Sequence, residues 1–243
     1  MNFYAVIIGT EILNARREDK HFLFVRNELQ KYGHELFASL IIKDDEKLIS
    51  NCFEMIKADQ DSVLFSFGGI GSTPDDLTRE ISAKVFTEEP LVAHQQFKKD
   101  IIERFADNAY PNRIHMADLP QNSELLFNPI NNMSGYSLCE RYFFVPGFPD
   151  MAHPMITQAI EQYYSQSTNN FRFTLLANTS EDRLIFLMKQ LPKHIELSSL
   201  PMFKNNKPLV EISLNGENEQ EVQNYFNLFI NYLNEEVISF NLI

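Results

Sequence analysis

The feature that most constrains this chain is a strand-length apolar run, Ser62–Phe67, that passes without a spacer into Gly68-Gly69-Ile70-Gly71. A short apolar run ending in a glycine turn has the form of a strand buried on both faces. Glycines at its end let the backbone approach a ligand closely, and their N–H groups can form a concave anion-binding nest. Phe3–Ile8, ending in Gly9, has the same form. Strands buried on both faces need helices on both sides, so the pattern predicts an α/β fold with a mostly parallel sheet.

The segments between these runs support that arrangement. From Glu18 to Tyr32, Phe22, Val25, Leu29 and Tyr32 recur at helical spacing, and Gly33 supplies a stop. Glu35–Ile42 reads as a strand, and Asp45–Ala58 as a helix with Leu48, Ile49, Phe53 and Ile56 facing inward. Asp76 is expected to open a helix reaching about Phe86, and Gln95–Phe105 reads as another. Ala106–Pro120 reads as a loop or short turns. Short strands follow at 123–127, 136–139 and 141–145, then a Pro-Gly turn and a helix over 150–164. The polar stretch 165–170 is the expected linker, giving domains 1–165 and 171–243. The second reads as strand 171–177, helix 180–191, strands 195–199 and 209–214, helix 218–234 and a last strand 237–242, a small split βαβ unit.

The chain of 243 residues carries a formal charge of −12. An acidic balance argues against a general nucleic-acid binder or an anionic-membrane binder, since both need a positive field. Cys52 and Cys139 form no CxxC pattern, so neither a disulfide framework nor a structural zinc site is expected. No apolar run approaches the roughly 20 residues of a membrane span. The N-terminal MNFYAVIIGTEIL reads as a strand, not a signal peptide, so a cytoplasmic protein is expected.

Chemistry is concentrated in Phe67–Thr78. The nest suits a phosphate, whereas Asp75 and Asp76 would repel one unless a divalent cation bridges them. The N-terminus of the helix expected from Asp76 adds partial positive charge for that phosphate; the bland alternative is a tight turn with Asp75 or Asp76 as an ordinary helix cap. Thr10 and Glu11 follow the first strand, where open α/β sheets place ligands, although a plain turn with a surface glutamate reads as well. After the second strand, one of Asp44 and Asp45 reaches the same cleft, or else Asp44 or Asp45 merely caps the next helix with Glu46 in its first turn. Gly147, in Pro146-Gly147-Phe148-Pro149-Asp150, either admits a ligand or only shapes a rigid turn. No pair among the six histidines has metal-ligand spacing, and His115 and His153 are the two best placed to overhang the cleft.

Taken in order, Ile8–Leu13, Asp44-Asp45, Gly68–Thr78, Asn128-Pro129 with Gly135-Tyr136, and Val145–Met151 resemble the motifs of the competence/damage-inducible protein A (CinA) family. That pattern reads approximately GTELL, an acidic turn, GGLGPTxDDLT, NPxGTAPG and LPGxPxEM. The resemblance covers about residues 1–165, and 171–240 look like the KH-type α/β domain that follows in that family. It implies a molybdopterin-binding-type three-layer αβα domain followed by a small α+β domain. It also implies divalent-metal-dependent hydrolysis of ADP-ribose to AMP and ribose 5-phosphate. The alternative is a non-catalytic molybdopterin- or nucleotide-binding protein. On that analogy Gly68, Gly69, Gly71, Ser72, Thr73 and Gly147 contact the phosphate-bearing ligand, as do Thr10 and Glu11. Asp44 and Asp76 would hold magnesium, manganese or cobalt, with Asp75 assisting the chemistry. A homo-oligomer is in keeping with the fold class. The departures are Asn14 for glycine, Ser72 for proline, and Asn131–Gly135 for a Gly-Thr-Ala-Pro-Gly loop. Asn112–Ala117 stands where the family has Asn-Arg-Lys-Gln-Ala, so a lysine able to pair with phosphate is lost. The residues end at Ile243, before the family's amidohydrolase domain, so amidase activity is not expected.

Overall fold

The computed structural model describes residues 1–166 and 170–243; the middle of the expected linker, 167–169, lies outside the described residues. The chain divides into two compact units, Met1–Ser167 and Thr168–Ile243. In the first unit the elements are β1 (Asn2–Ile8), α1 (Thr10–Leu13), α2 (His21–Gln30), β2 (Leu36–Ile42), α3 (Glu46–Ala58), β3 (Ser62–Phe67), α4 (Thr78–Ser82), β4 (Val92–Ala93), α5 (Gln95–Phe105), β5 (Asp118–Leu119), β6 (Glu124–Leu126), β7 (Gly135–Leu138), β8 (Tyr142–Val145) and α6 (Pro149–Tyr163).

Six strands form one sheet in the order β2-β1-β3-β8-β7-β6. The first four run parallel, and β7 and β6 extend the sheet antiparallel. Alternation of side chains along each strand feeds two separate cores. Phe3, Ala5 and Ile7 of β1, with Val63, Phe65 and Phe67 of β3, pack under α2 and α6. Tyr4, Val6 and Ile8, with Leu64, pack against α3, α4 and α5. Phe65 and Phe53 are fully buried, one on each face, and each contributes roughly 2 kcal/mol of burial free energy. The layering is therefore helix, sheet, helix.

Several expectations need correction. Leu48 and Phe22 were expected inside but are 39% exposed each; α2 begins at His21, whose ring takes the buried place. The helix expected from Asp76 starts at Thr78, runs for five residues and passes into a π-helical turn, Ala83–Thr87. Asp76 does not cap it: its N–H donates to Thr73 O, and its carboxylate folds back onto the same residue. Asp150 likewise lies in the first turn of α6, not at its cap. The stretch 106–120 holds two 3₁₀ turns and β5, which pairs with β4.

The second unit contains β9 (Phe171–Ala177), α7 (Ile185–Met188), β10 (Glu196–Lys204), β11 (Lys207–Gly216), α8 (Glu219–Glu235) and β12 (Phe240–Leu242). Its antiparallel sheet has the order β10-β11-β9-β12. Hence β9 and β10 run parallel with β11 between them, and β11 and β12 run parallel with β9 between them. The unit is two interleaved split βαβ motifs. Asn205 and Asn206, both left-handed, close the β10–β11 hairpin. The helix expected over 180–191 is reduced to a 3₁₀ turn and the single turn of α7, and the last strand starts at Phe240, not Val237. Among the described residues, no helix is long and apolar enough to cross a membrane.

Candidate functional site

The C-terminal ends of the parallel strands open onto a cleft of about 510 Å³, a size suited to a small-molecule ligand. Its floor is the loop after β3. Gly68 has φ 99° and Gly69 φ 69°. A methyl group on Gly68 would lie 2.4 Å from the carbonyl oxygen of Ile8, so the loop can follow β1 this closely only with glycine there. Buried Thr78 fastens the loop from below. Its N–H donates to Gly69 O at 2.9 Å, and its hydroxyl to Gly68 O at 3.0 Å.

Glu11, Asp44, Gly68, Gly69, Gly71, Ser72, Thr73, Asp75, Asp76 and Gly147 all line this one cleft. Thr10 stands behind it. Its N–H and hydroxyl both donate to Asp44 Oδ2, at 2.8 and 2.7 Å. Asp45 turns away and accepts from Leu48 N–H at 2.8 Å as the cap of α3. The two alternatives for this acidic pair are thereby separated: Asp44 faces the cleft and Asp45 caps the helix. Thr73 donates its N–H and hydroxyl to Asp76 Oδ2, at 2.7 and 2.6 Å. Hydrogen bonding from Thr73 also draws the Asp75 carboxyl below the usual aspartate range.

Two arginines that the motif reading did not single out complete the lining. Arg17 lies over the Phe148 ring at 5.2 Å and 3.6 Å from Glu11. Arg113 lies over Phe105 at 4.9 Å and donates to Asn108 O. Arg113 belongs to the very segment that lost the family lysine, so the cleft keeps a cation there. The signal for Arg17 was the Arg16-Arg17 pair, basic residues just beyond β1 in an acidic chain.

The loop that departs from Gly-Thr-Ala-Pro-Gly is ordered by asparagines. Fully buried Asn128 donates to Asn131 Oδ1 and Met133 O, and Asn131, Met133 and Ser134 line the cleft. Neither histidine expected to overhang lines it. Exposed His115 pairs with Asp118, and His153 stacks on Phe24 at 3.7 Å. His153 also meets Nδ1 of His21, whose Nε2 lies 3.3 Å from Gly147 O. Burial pushes the His21 imidazole down to about 4 and lowers that of His153.

Residues 4–166 match the family described as "Probable molybdopterin binding domain". The chain belongs to this molybdopterin-binding domain family. Its relatives over most of its length are CinA-like proteins. One, from Fusobacterium nucleatum, is 24% identical over 240 residues, which is 96% of this chain and 58% of the relative. Another, from Acaryochloris marina, is 31% identical over 170 residues, 67% of this chain and 40% of the relative. The chain thus spans only part of the length of the curated relatives it matches, 58% of the first and 40% of the second. Among solved structures, the protein CinA from Thermoplasma acidophilum, described as of unknown function, is 25% identical with a TM-score of 0.59. That match covers 67% of this chain and 98% of the other.

Proposed function

We propose that this CinA-like, molybdopterin-binding-domain chain binds the pyrophosphate of ADP-ribose, or of a similar nucleotide, and hydrolyses it with a divalent ion to AMP and ribose 5-phosphate. One observation carries the reading. Four carboxylates, Glu11, Asp44, Asp75 and Asp76, line the same cleft as a glycine loop whose Gly71 and Ser72 amides have no hydrogen-bond acceptor among the described residues. Free amides attract a phosphate and carboxylates repel it; a cation between them reconciles the two.

The residues fit such an ion in one particular way. Among the described residues, no group of three or more histidine, cysteine, aspartate or glutamate side chains is placed to hold a metal alone. A magnesium-like ion, which is commonly bound by one or two carboxylates together with substrate phosphates, suits this set. Thr10 and Thr73 occupy one oxygen each of Asp44 and Asp76, and the Oδ1 atoms have no internal partner. The ion, when bound, would offset charge on the pyrophosphate. Gly71 and Ser72 would orient one phosphate, and Arg17 and Arg113 would hold the other end of the ligand. A carboxylate oxygen of Asp44 or Asp76 would take the proton of the attacking water as the new P–O bond forms. The bond to the bridging oxygen breaks, and the departing phosphate leaves with its nucleoside or sugar.

A second reading, binding of molybdopterin or a nucleotide without chemistry, draws on the missing three-ligand group. Release of AMP from ADP-ribose separates the two, measured with magnesium, manganese or cobalt, with chelator, and in Asp76→Ala. Metal-dependent release that disappears in Asp76→Ala supports hydrolysis. A protein that binds ADP-ribose but releases no AMP with any ion is a binder.

A further inference from the structure

We infer that Arg79 is a positioning residue beneath the phosphate site, which aims the Gly71 and Ser72 amides into the cleft and supplies a positive charge that a bound phosphate neutralises. This rests on the reading of the loop as an anion site. Arg79 follows Thr78 in α4 and is 8% exposed. Its Nη1 donates to the carbonyl oxygens of Ile70, at 2.5 Å, and of Gly71. A planar trans peptide puts its C=O and the N–H that follows on opposite sides. Two carbonyls drawn onto one guanidinium therefore leave the next two N–H groups, those of Gly71 and Ser72, directed away from it. Both residues line the cleft, and neither amide has an acceptor among the described residues.

The charge itself is uncompensated. Among the described residues, no carboxylate lies within the 4.0 Å of an ion pair with Arg79, and its Nε is buried without a hydrogen-bond partner. Burying a guanidinium with no counter-ion is expensive, and carbonyl dipoles offset only part of that cost. An anion on the far side of a single layer of backbone offsets the rest. α4 is one turn long, so the positive potential that the sequence suggested would come from a helix terminus is supplied instead by this side chain.

The test uses the whole chain, with sodium pyrophosphate and ADP-ribose as probes, each in chelator and again with magnesium, at low ionic strength. Calorimetric affinity is measured beside the melting curve of the free protein. Arg79→Lys keeps the charge, whereas Arg79→Gln keeps a neutral N–H donor for the loop carbonyls. Wild type and Arg79→Lys are expected to bind within a few-fold of each other, and Arg79→Gln about tenfold or more weaker, since charge-assisted contacts are the strong ones. Arg79→Gln binding as wild type does, whatever its melting temperature, makes Arg79 merely structural and overturns the inference while the phosphate site stands. Arg79→Lys falling as far as Arg79→Gln overturns the role of the charge. Wild type that binds neither probe, with magnesium or without it, removes the phosphate site, and the inference goes with it.

Discussion

Thr10 donates two hydrogen bonds to a single oxygen of Asp44, 34 residues away, through its N–H at 2.8 Å and its hydroxyl at 2.7 Å. The pair ties the end of β1 to the end of β2 and fixes which way the Asp44 carboxylate points. Hydrogen bonds to a charged acceptor are worth roughly 1.5–3 kcal/mol each. Thr10→Val keeps the shape and removes the hydroxyl. It is expected to lower kcat/KM for ADP-ribose by about tenfold or more and to lower the melting temperature by a few degrees. Steady-state AMP release and a thermal melt check both halves.

Asp44 and Asp45 are adjacent in sequence and opposite in task. Asp45→Ala removes the cap of α3 and is expected to cost about 1 kcal/mol of stability with activity retained. Asp44→Ala is expected to do the reverse. Urea titration and the hydrolysis assay, run on both variants, would expose a wrong assignment if the two effects were exchanged.

Gly68 has φ 99° and no room for a methyl group beside Ile8 O. Gly68→Ala is expected to lose about 2 kcal/mol or more through strain and steric displacement, and to weaken ligand binding, because the loop must lift from β1. Thermal unfolding gives the first effect and ADP-ribose titration the second.

The buried His21 makes stability depend on pH. Its folded pKa of about 4 lies below the ordinary histidine value of 6.5, chiefly because burial disfavours the charged ring. Between those values the unfolded chain binds more protons than the folded one, so stability is full above about pH 6.5 and is lost as pH falls toward 4. His153, also lowered by burial, acts in the same direction. The His21 contribution is up to roughly 3 kcal/mol. His21→Phe is expected to flatten the stability profile across this window, measured by urea unfolding at each pH; an unchanged slope would assign the acid sensitivity to other groups.

The sequence was most legible where local pattern and burial agree. β3, α5 and β9 have the bounds read from their apolar runs and stops, and the glycine loop was visible because glycine adopts left-handed backbone at little cost. Elsewhere tertiary contacts override local signals. Asp76 looks like a helix cap in isolation, but Thr73 claims its carboxylate and the helix starts two residues later. Arg113 and Arg17 reach the cleft from segments without helical or strand periodicity; the Arg16-Arg17 pair marks a basic patch in the sequence but not the direction it faces. Arg79 belongs to no motif singled out in the sequence; its burial is visible only once the loop carbonyls close over it.

The measurement that tests the central claim most directly is a titration of ¹⁵N-labelled protein with ADP-ribose, in chelator and again with magnesium, followed by the amide resonances. The claim places a phosphate against the loop after β3. The largest shifts are therefore expected at Gly69, Gly71 and Ser72, with smaller ones near Arg17 and Arg113, and none in β9–β12. Saturable binding that leaves the Gly69–Ser72 amides unmoved would contradict it.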